Sequence, residues 1–294
     1  MRPFLATLKE TALEVLSEPL TLLVLLAALA LAVLAPTFHY HQFGDPTRMA
    51  RDAGLSSLFL GGGVLAVFGT IRTLRREIES GTMEMALAHP ISRTSFLLAK
   101  AAGAFVAYLA FALTVLGTSM VMFEGAAVGG IIASQTGDIA RIARPELVAA
   151  TLVVVAPLVV GAVLNRFFRF RFVLSSVILT LVLSIAAAVT ASVGSRGDVL
   201  RLVPAGILLI LPSAVFLAAS AAFAVRLKAN AAAAATGLVF ALALPAIGNY
   251  YLSDALSGGG ELPWSYVAAA AAAALPAVVA FLLLGTGFAE ACDA

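Results

Sequence analysis

This chain has few cysteine, histidine and charged residues. Its 294 residues include one Cys and three His, and only 12% are charged, whereas soluble domains carry about 25% charged residues. The single Cys292 excludes an intramolecular disulfide framework and an all-cysteine metal site. A net charge of +2 gives no reason to expect nucleic acid as a partner. A soluble fold is also excluded, because too few polar residues remain to cover its exterior.

Long apolar runs take up most of the chain. Hydrophobic residues make up 62% of it, and the mean hydropathy is +1.05. Only helices and closed barrels satisfy every backbone polar group in lipid, and these runs are too long for barrel strands. The sequence therefore predicts an all-α integral membrane protein, a polytopic bundle of six to eight transmembrane helices. The eight runs that approach about 20 residues are Pro19–Pro36, Leu55–Ile71, Phe96–Met122, Leu147–Leu164, Phe172–Gly194, Val203–Val225, Ala231–Asn249 and Trp264–Leu284.

Lysine and arginine are distributed unevenly between the predicted loops. If the N-terminus is cytoplasmic, twelve of the 18 basic residues lie on the cytoplasmic side and six lie outside. Cytoplasmic loops normally carry this excess. Both termini are therefore predicted to be cytoplasmic.

The segment before the first span has the pattern of an amphipathic helix. Residues 4–18 place Leu8, Ala12 and Leu16 on one stripe, with charged residues off it. Pro19 is expected to break this helix from the span that follows. We therefore expect residues 1–18 to form a helix on the inner membrane surface, and residues 19–294 to form the transmembrane domain.

A charged, turn-broken loop, residues 72–95, joins the second and third spans. Gly81 can end the preceding helix, and Thr82 can cap a new one with Glu84 in its first turn. Pro90 ends the new helix, because the residue before a proline is biased away from helical geometry. The sequence thus predicts a short helix outside the membrane that carries acidic and apolar groups together.

This loop resembles that of the permease subunits of type-2 ABC exporters. The shared pattern is a Glu-rich turn, Gly-Thr, a Glu-containing helix, a Pro-Ile-Ser-Arg turn and a Lys a few residues further on. The resemblance covers roughly residues 4–120. It implies a subunit in a bacterial inner membrane that works with a separate cytoplasmic ATPase and with a second permease, either an identical or a related chain.

The resemblance also implies a role for the loop. In such exporters the loop holds a coupling helix that docks on the ATPase, and a connecting helix, here the N-terminal one, lies beside it. The residues expected to form or shape this contact are Glu79, Gly81, Thr82, Glu84, Met85, Leu87, Pro90 and Arg93. An ordinary inner loop whose charges set the topology is the alternative.

No energy source is recognisable in the chain. It has no GxxxxGK[ST] loop to hold ATP phosphates, so we expect no catalytic residue and no bound cofactor here, with ATP on the partner. Ion-coupled carriers usually place charged groups within spans, and the predicted spans contain no central carboxylate. Two alternatives remain. A secondary carrier would have an inverted repeat, and a non-transporting scaffold would use the loop for docking alone.

Two other clusters give weaker signals. His39 and His41 could bind a metal, but they have no cysteine or carboxylate partner at ligand spacing, so no metal site is predicted. Arg166, Arg169 and Arg171 alternate with phenylalanines and could attract anionic membrane lipid. A simple anchor at an inner loop explains the same pattern.

Overall fold

The computed structural model describes residues 2–35, 46–81, 92–136, 145–194, 198–247 and 262–291. These residues are helical almost throughout and contain no strand, so the all-α prediction is confirmed. A π-helical turn, Leu65–Gly69, joins the helices Pro46–Val64 and Thr70–Glu79, and a 3-10 turn, Asp198–Arg201, precedes the helix Leu202–Arg226. The helices are α1 Arg2–Ser17, α2 Pro19–Leu34, α3 Pro46–Val64, α4 Thr70–Glu79, α5 Arg93–Thr136, α6 Pro145–Phe168, α7 Phe172–Gly194, α8 Leu202–Arg226, α9 Ala229–Ile247 and α10 Trp264–Ala291.

The chain bends by 61° between α1 and α2. Glu18 has an extended backbone (φ −74°, ψ 137°), and Pro19 takes the first position of α2, where its missing N–H removes no helical hydrogen bond. The Val15 carbonyl accepts the Glu18 N–H at 3.3 Å and also the Thr21 hydroxyl. The predicted break at Pro19 is therefore present, and the polar groups at the bend have partners.

Six helical segments of the described chain are long and apolar enough to cross a membrane, or seven if α1 and α2 form one bent span. The eight runs predicted from hydropathy exceed this count. Helix α2 has only 16 residues, about 24 Å, which is shorter than the roughly 30 Å hydrocarbon core. The apolar part of α9, Ala229–Ala243, is also short. The six segments are Thr47–Glu79, Arg93–Ala127, Thr151–Phe168, Phe172–Val193, Val199–Arg226 and Trp264–Glu290.

Helices α3, α5 and α8 form the centre of the bundle, whereas α6, α7 and α10 lie at its edge with most of their surface exposed. Tyr108 and Phe111 of α5 and Phe216 of α8 are among the largest fully buried side chains. Helix α1 packs along α5. The exposed apolar side chains of the outer helices provide the surface that a bundle presents to lipid.

Candidate functional site

The loop predicted to contact an ATPase leaves the bundle between α4 and α5. Five of the predicted contact residues lie outside the described residues: Thr82, Glu84, Met85, Leu87 and Pro90. The other three lie in the described parts of loop 72–95, on either side of residues 82–91. Glu79 is the last residue of α4, Gly81 lies two residues further on, and Arg93 is the first residue of α5. The short helix predicted within the loop stays a prediction.

Local hydrogen bonds fix the chain on both sides of the loop. Gly81 has a φ of +68°, a left-handed conformation that glycine adopts at little cost. Just before it, the Ser80 N–H donates to the Arg76 carbonyl at 3.0 Å. On the far side, the Ser92 hydroxyl accepts the Ser95 N–H at 3.2 Å and caps α5. Helix α4 thus ends near this glycine, and α5 begins at a serine cap.

A buried lysine joins the helices that flank the loop to α1. Lys100 of α5 has a side chain only 4% exposed, and its ammonium group donates a hydrogen bond to the Glu77 carboxylate of α4. The same Nζ lies 3.7 Å from Glu14 Oε2 of α1. Arg76 Nη1 of α4 lies 3.7 Å from the other oxygen of Glu14. Three helices are therefore tied together at the end of the bundle that carries the loop.

A second ion pair links α1 to α4. Arg72 Nε lies 3.2 Å from Glu18 Oε1, and the Glu18 side chain is 9% exposed. Burial raises the pKa of the Glu18 carboxyl above its ordinary value, although the positive charge of Arg72 lowers it. Glu14 raises this pKa and Arg76 lowers it, both to a smaller extent. The bend between α1 and α2 thus places a partly desolvated acid against the arginines of α4.

The predicted residue Glu79 lies at the surface. Its side chain is 60% exposed, and Arg75 Nη2 lies 3.0 Å from its carboxylate, one helical turn away in α4. Beyond the loop, the Thr94 hydroxyl donates to Glu290 Oε1 at 3.3 Å. This contact joins the first turn of α5 to the last turn of α10. Polar contacts thus lie close to both described ends of the loop.

The sequence did not single out the ion-paired residues. Glu14 and Glu18 were placed on the polar side of α1, yet Glu18 is buried and Glu14 is partly buried. Lys100 belongs to the pattern that resembles the exporter loop, but the sequence gives it no ion-pair partner. Two signals were present: two acids four residues apart beside the apolar stripe of α1, and a single lysine within an apolar helix. Neither signal identifies its partner, because the partners come from distant parts of the chain.

Metal chemistry finds no support in the described ranges. There, no three His, Cys, Asp or Glu side chains come together as possible ligands. His39 and His41 lie outside those ranges.

Comparison with known proteins gives one match. A family model described as ABC-2 family transporter protein matches residues 17–187, which is more than half of the 294 residues. The matched region runs from the bend before α2 into α7 and includes the loop between α4 and α5. No curated protein and no solved structure matches the chain. The resemblance inferred from the loop is confirmed at the level of the family.

Proposed function

Because this chain belongs to the ABC-2 transporter family, we propose that it is the permease subunit of an ATP-driven exporter. The family consists of membrane components that are not themselves catalytic. Hydrolysis is accordingly assigned to a separate cytoplasmic ATPase, with no cofactor bound by this chain. The assembly would contain a second permease, either a copy or a related chain, in a bacterial inner membrane. Both termini and loop 72–95 would face the cytoplasm.

The pairing of Lys100 with Glu77 is the observation that carries this proposal. The two residues belong to the helices that enter and leave the loop, and Glu14 of α1 approaches the same ammonium group. A partner that binds the loop would therefore act on α1, α4 and α5 together. Ion pairs that join the two ends of a loop are expected where the loop docks a partner. An ordinary connecting loop needs no contact between its ends.

Helix α5 provides a path from the loop into the membrane. It contains 44 residues, about 66 Å at the usual helical rise. Tyr108 and Phe111 lie along it in the buried centre of the bundle. A displacement at Arg93 would be carried towards these side chains, because packed interiors transmit strain. Nucleotide would change the permease state only to the extent that the ATPase binds one state more tightly than the other.

Co-purification with the ATPase tests the docking proposal. Glu84→Arg reverses the acid proposed to lie at the contact. Gly81→Leu strains a backbone position with positive φ, although no atom lies within 4 Å of where its Cβ would be. Each change should weaken co-purification and ATPase stimulation while membrane insertion stays normal. Reversal of a charge at a protein interface repels the original partner, which gives the first variant the larger expected effect.

The matched control is Glu10→Arg, which makes the same charge reversal at an exposed position of α1. It should leave co-purification close to that of the unmodified protein. Equal losses in Glu84→Arg and Glu10→Arg would indicate a general charge effect. Unchanged co-purification in both loop variants would refute docking through the loop.

A further inference from the structure

A groove of about 770 Å³ opens between α4 and the first turns of α9. It lies at the end of the bundle that carries loop 82–91, and Leu20, the second residue of α2, forms part of its wall. We propose that this groove binds an anionic phospholipid, with the phosphate at its arginines and an acyl chain along its apolar wall. The assignment does not depend on the ATPase proposal.

The charges in the groove favour an anionic headgroup. Arg72, Arg75 and Arg76 line it, and Glu79, which pairs with Arg75, is the one carboxylate in the lining. Glu18 and Glu14 approach Arg72 and Arg76 from α1. The two arginine side chains are nevertheless 60% and 70% exposed. A guanidinium has five N–H donors, and one carboxylate neighbour cannot occupy them all.

The opposite wall is suited to phosphate as well. It is formed by Ala229, Asn230 and Ala233 at the start of α9, a helix of 19 residues. The first N–H groups of a helix have no partners within the helix, and they favour anions together with the helix dipole. The Asn230 side chain is exposed and adds an amide. The arginines of α4 and the first residues of α9 thus line the same groove.

The apolar lining distinguishes a lipid from a soluble anion. Leu20, Phe68 and Ala233 lie beside the charged groups, and Phe68 is 49% exposed. A free phosphate would gain nothing from these side chains. A phospholipid would bury them against its acyl chain while its headgroup met the arginines, as lipids do in basic pockets between transmembrane helices.

Native mass spectrometry of the full-length protein tests the proposal. Retention of phosphatidylglycerol and of phosphatidylcholine would be compared in the same detergent. The anionic lipid should bind more tightly, and salt should weaken it. Asn230→Asp places a negative charge in the groove, and an acid in the first turn of a helix keeps α9 stable. This change should weaken phosphatidylglycerol binding by about five-fold, whereas Asn230→Gln should not.

A second pair of variants removes one positive charge at each of two places. Arg76→Gln acts in the groove and leaves Glu14 its contact with Lys100. Lys9→Gln removes an exposed positive charge from α1, at a residue that does not line the groove. Only the first should weaken phosphatidylglycerol binding. Equal effects of the two would mean that the membrane surface is attracted without a site.

Two other results would overturn the assignment. Equal retention of the two lipids by the unmodified protein would exclude a headgroup site in the groove. Inorganic phosphate that displaced phosphatidylglycerol completely at millimolar concentration would mean that the groove binds a soluble anion.

Discussion

At the scale of single residues, the helices near the loop are joined by buried charged side chains. Lys100 is almost fully enclosed and has carboxylates from two other helices beside it. Glu18 is nearly as enclosed, but its partner Arg72 is largely exposed. Burial costs a charge its hydration, and only close partners offset that cost. Lys100 has two such partners, whereas Glu18 has the weaker compensation.

The pKa of Glu18 gives the sign of a pH-dependent effect on stability. Burial holds this pKa above its ordinary value of 4.5, so the folded protein binds the proton more tightly than the unfolded chain does. The resulting stabilisation is fully present below the unfolded pKa and is lost as pH rises through the folded pKa. Glu18→Gln should therefore raise the melting temperature at pH 7 relative to the unmodified protein.

Melting temperatures in detergent at several pH values measure this effect. The advantage of Glu18→Gln should shrink as the pH falls towards 4.5, because the native acid is then protonated as well. The quantity to compare is the melting temperature of Glu18→Gln minus that of the unmodified protein. If this difference is lower at pH 7 than at pH 4.5, the ion pair with Arg72 outweighs the cost of burial.

At the scale of helices, close packing places α1 against α5. A Cβ at Gly103 of α5 would lie 2.6 Å from the Leu8 carbonyl oxygen and 2.7 Å from Thr11 Cβ, both on α1. Glycine is therefore needed for the two backbones to approach this closely. Packing and the ion pairs of Glu14 both hold α1 in place, which makes it part of the unit that flanks the loop.

Gly103→Ala should push α1 away from α5. Overpacking of this kind costs roughly 1–3 kcal/mol, so the melting temperature should fall, and a disulfide engineered between α1 and α5 should form less readily. Gly63→Ala is the matched control, because a Cβ at Gly63 meets no atom within 4 Å. If both variants lose the same stability, helix contact at Gly103 is not the cause.

Glycine and proline predicted two helix boundaries, whereas hydropathy missed the start of α3. Gly81 and Pro19 act through their own backbone geometry, which a sequence reveals directly. Helix α3 begins at Pro46, nine residues before the predicted span at Leu55. Hydropathy could not detect those added residues, since Arg51 and Asp52 are charged and satisfy each other at 3.0 Å.

The ion pairs between α1, α4 and α5 could not be predicted, for a different reason. Their side chains come from distant parts of the chain, and only the packing of these helices brings them together. The groove between α4 and α9 is another product of packing, because it joins two helices that lie about 150 positions apart in the chain. Sequence patterns predicted a partner-binding role for the loop, but they did not predict which contacts hold its ends.

At the scale of the whole molecule, the chain belongs to a transporter family. Its described residues include six helical segments fit to cross a membrane, or seven if α1 and α2 form one bent span. Its central helices are buried, and its outer helices expose apolar faces. The matched region contains the loop and both of its flanking helices. The sequence contains no phosphate-binding loop, and the proposed ATPase partner would supply the energy for transport.

Reconstitution into liposomes tests that central claim most directly. Vesicles with this chain alone should hydrolyse no ATP and carry no proton flux under an imposed gradient, as reported by a trapped pH-sensitive dye. Addition of the ATPase that co-purifies with the chain should give hydrolysis that this permease stimulates and that Glu84→Arg reduces. Flux through the chain alone that follows the gradient, stops with an uncoupler and is indifferent to ATP would contradict the account.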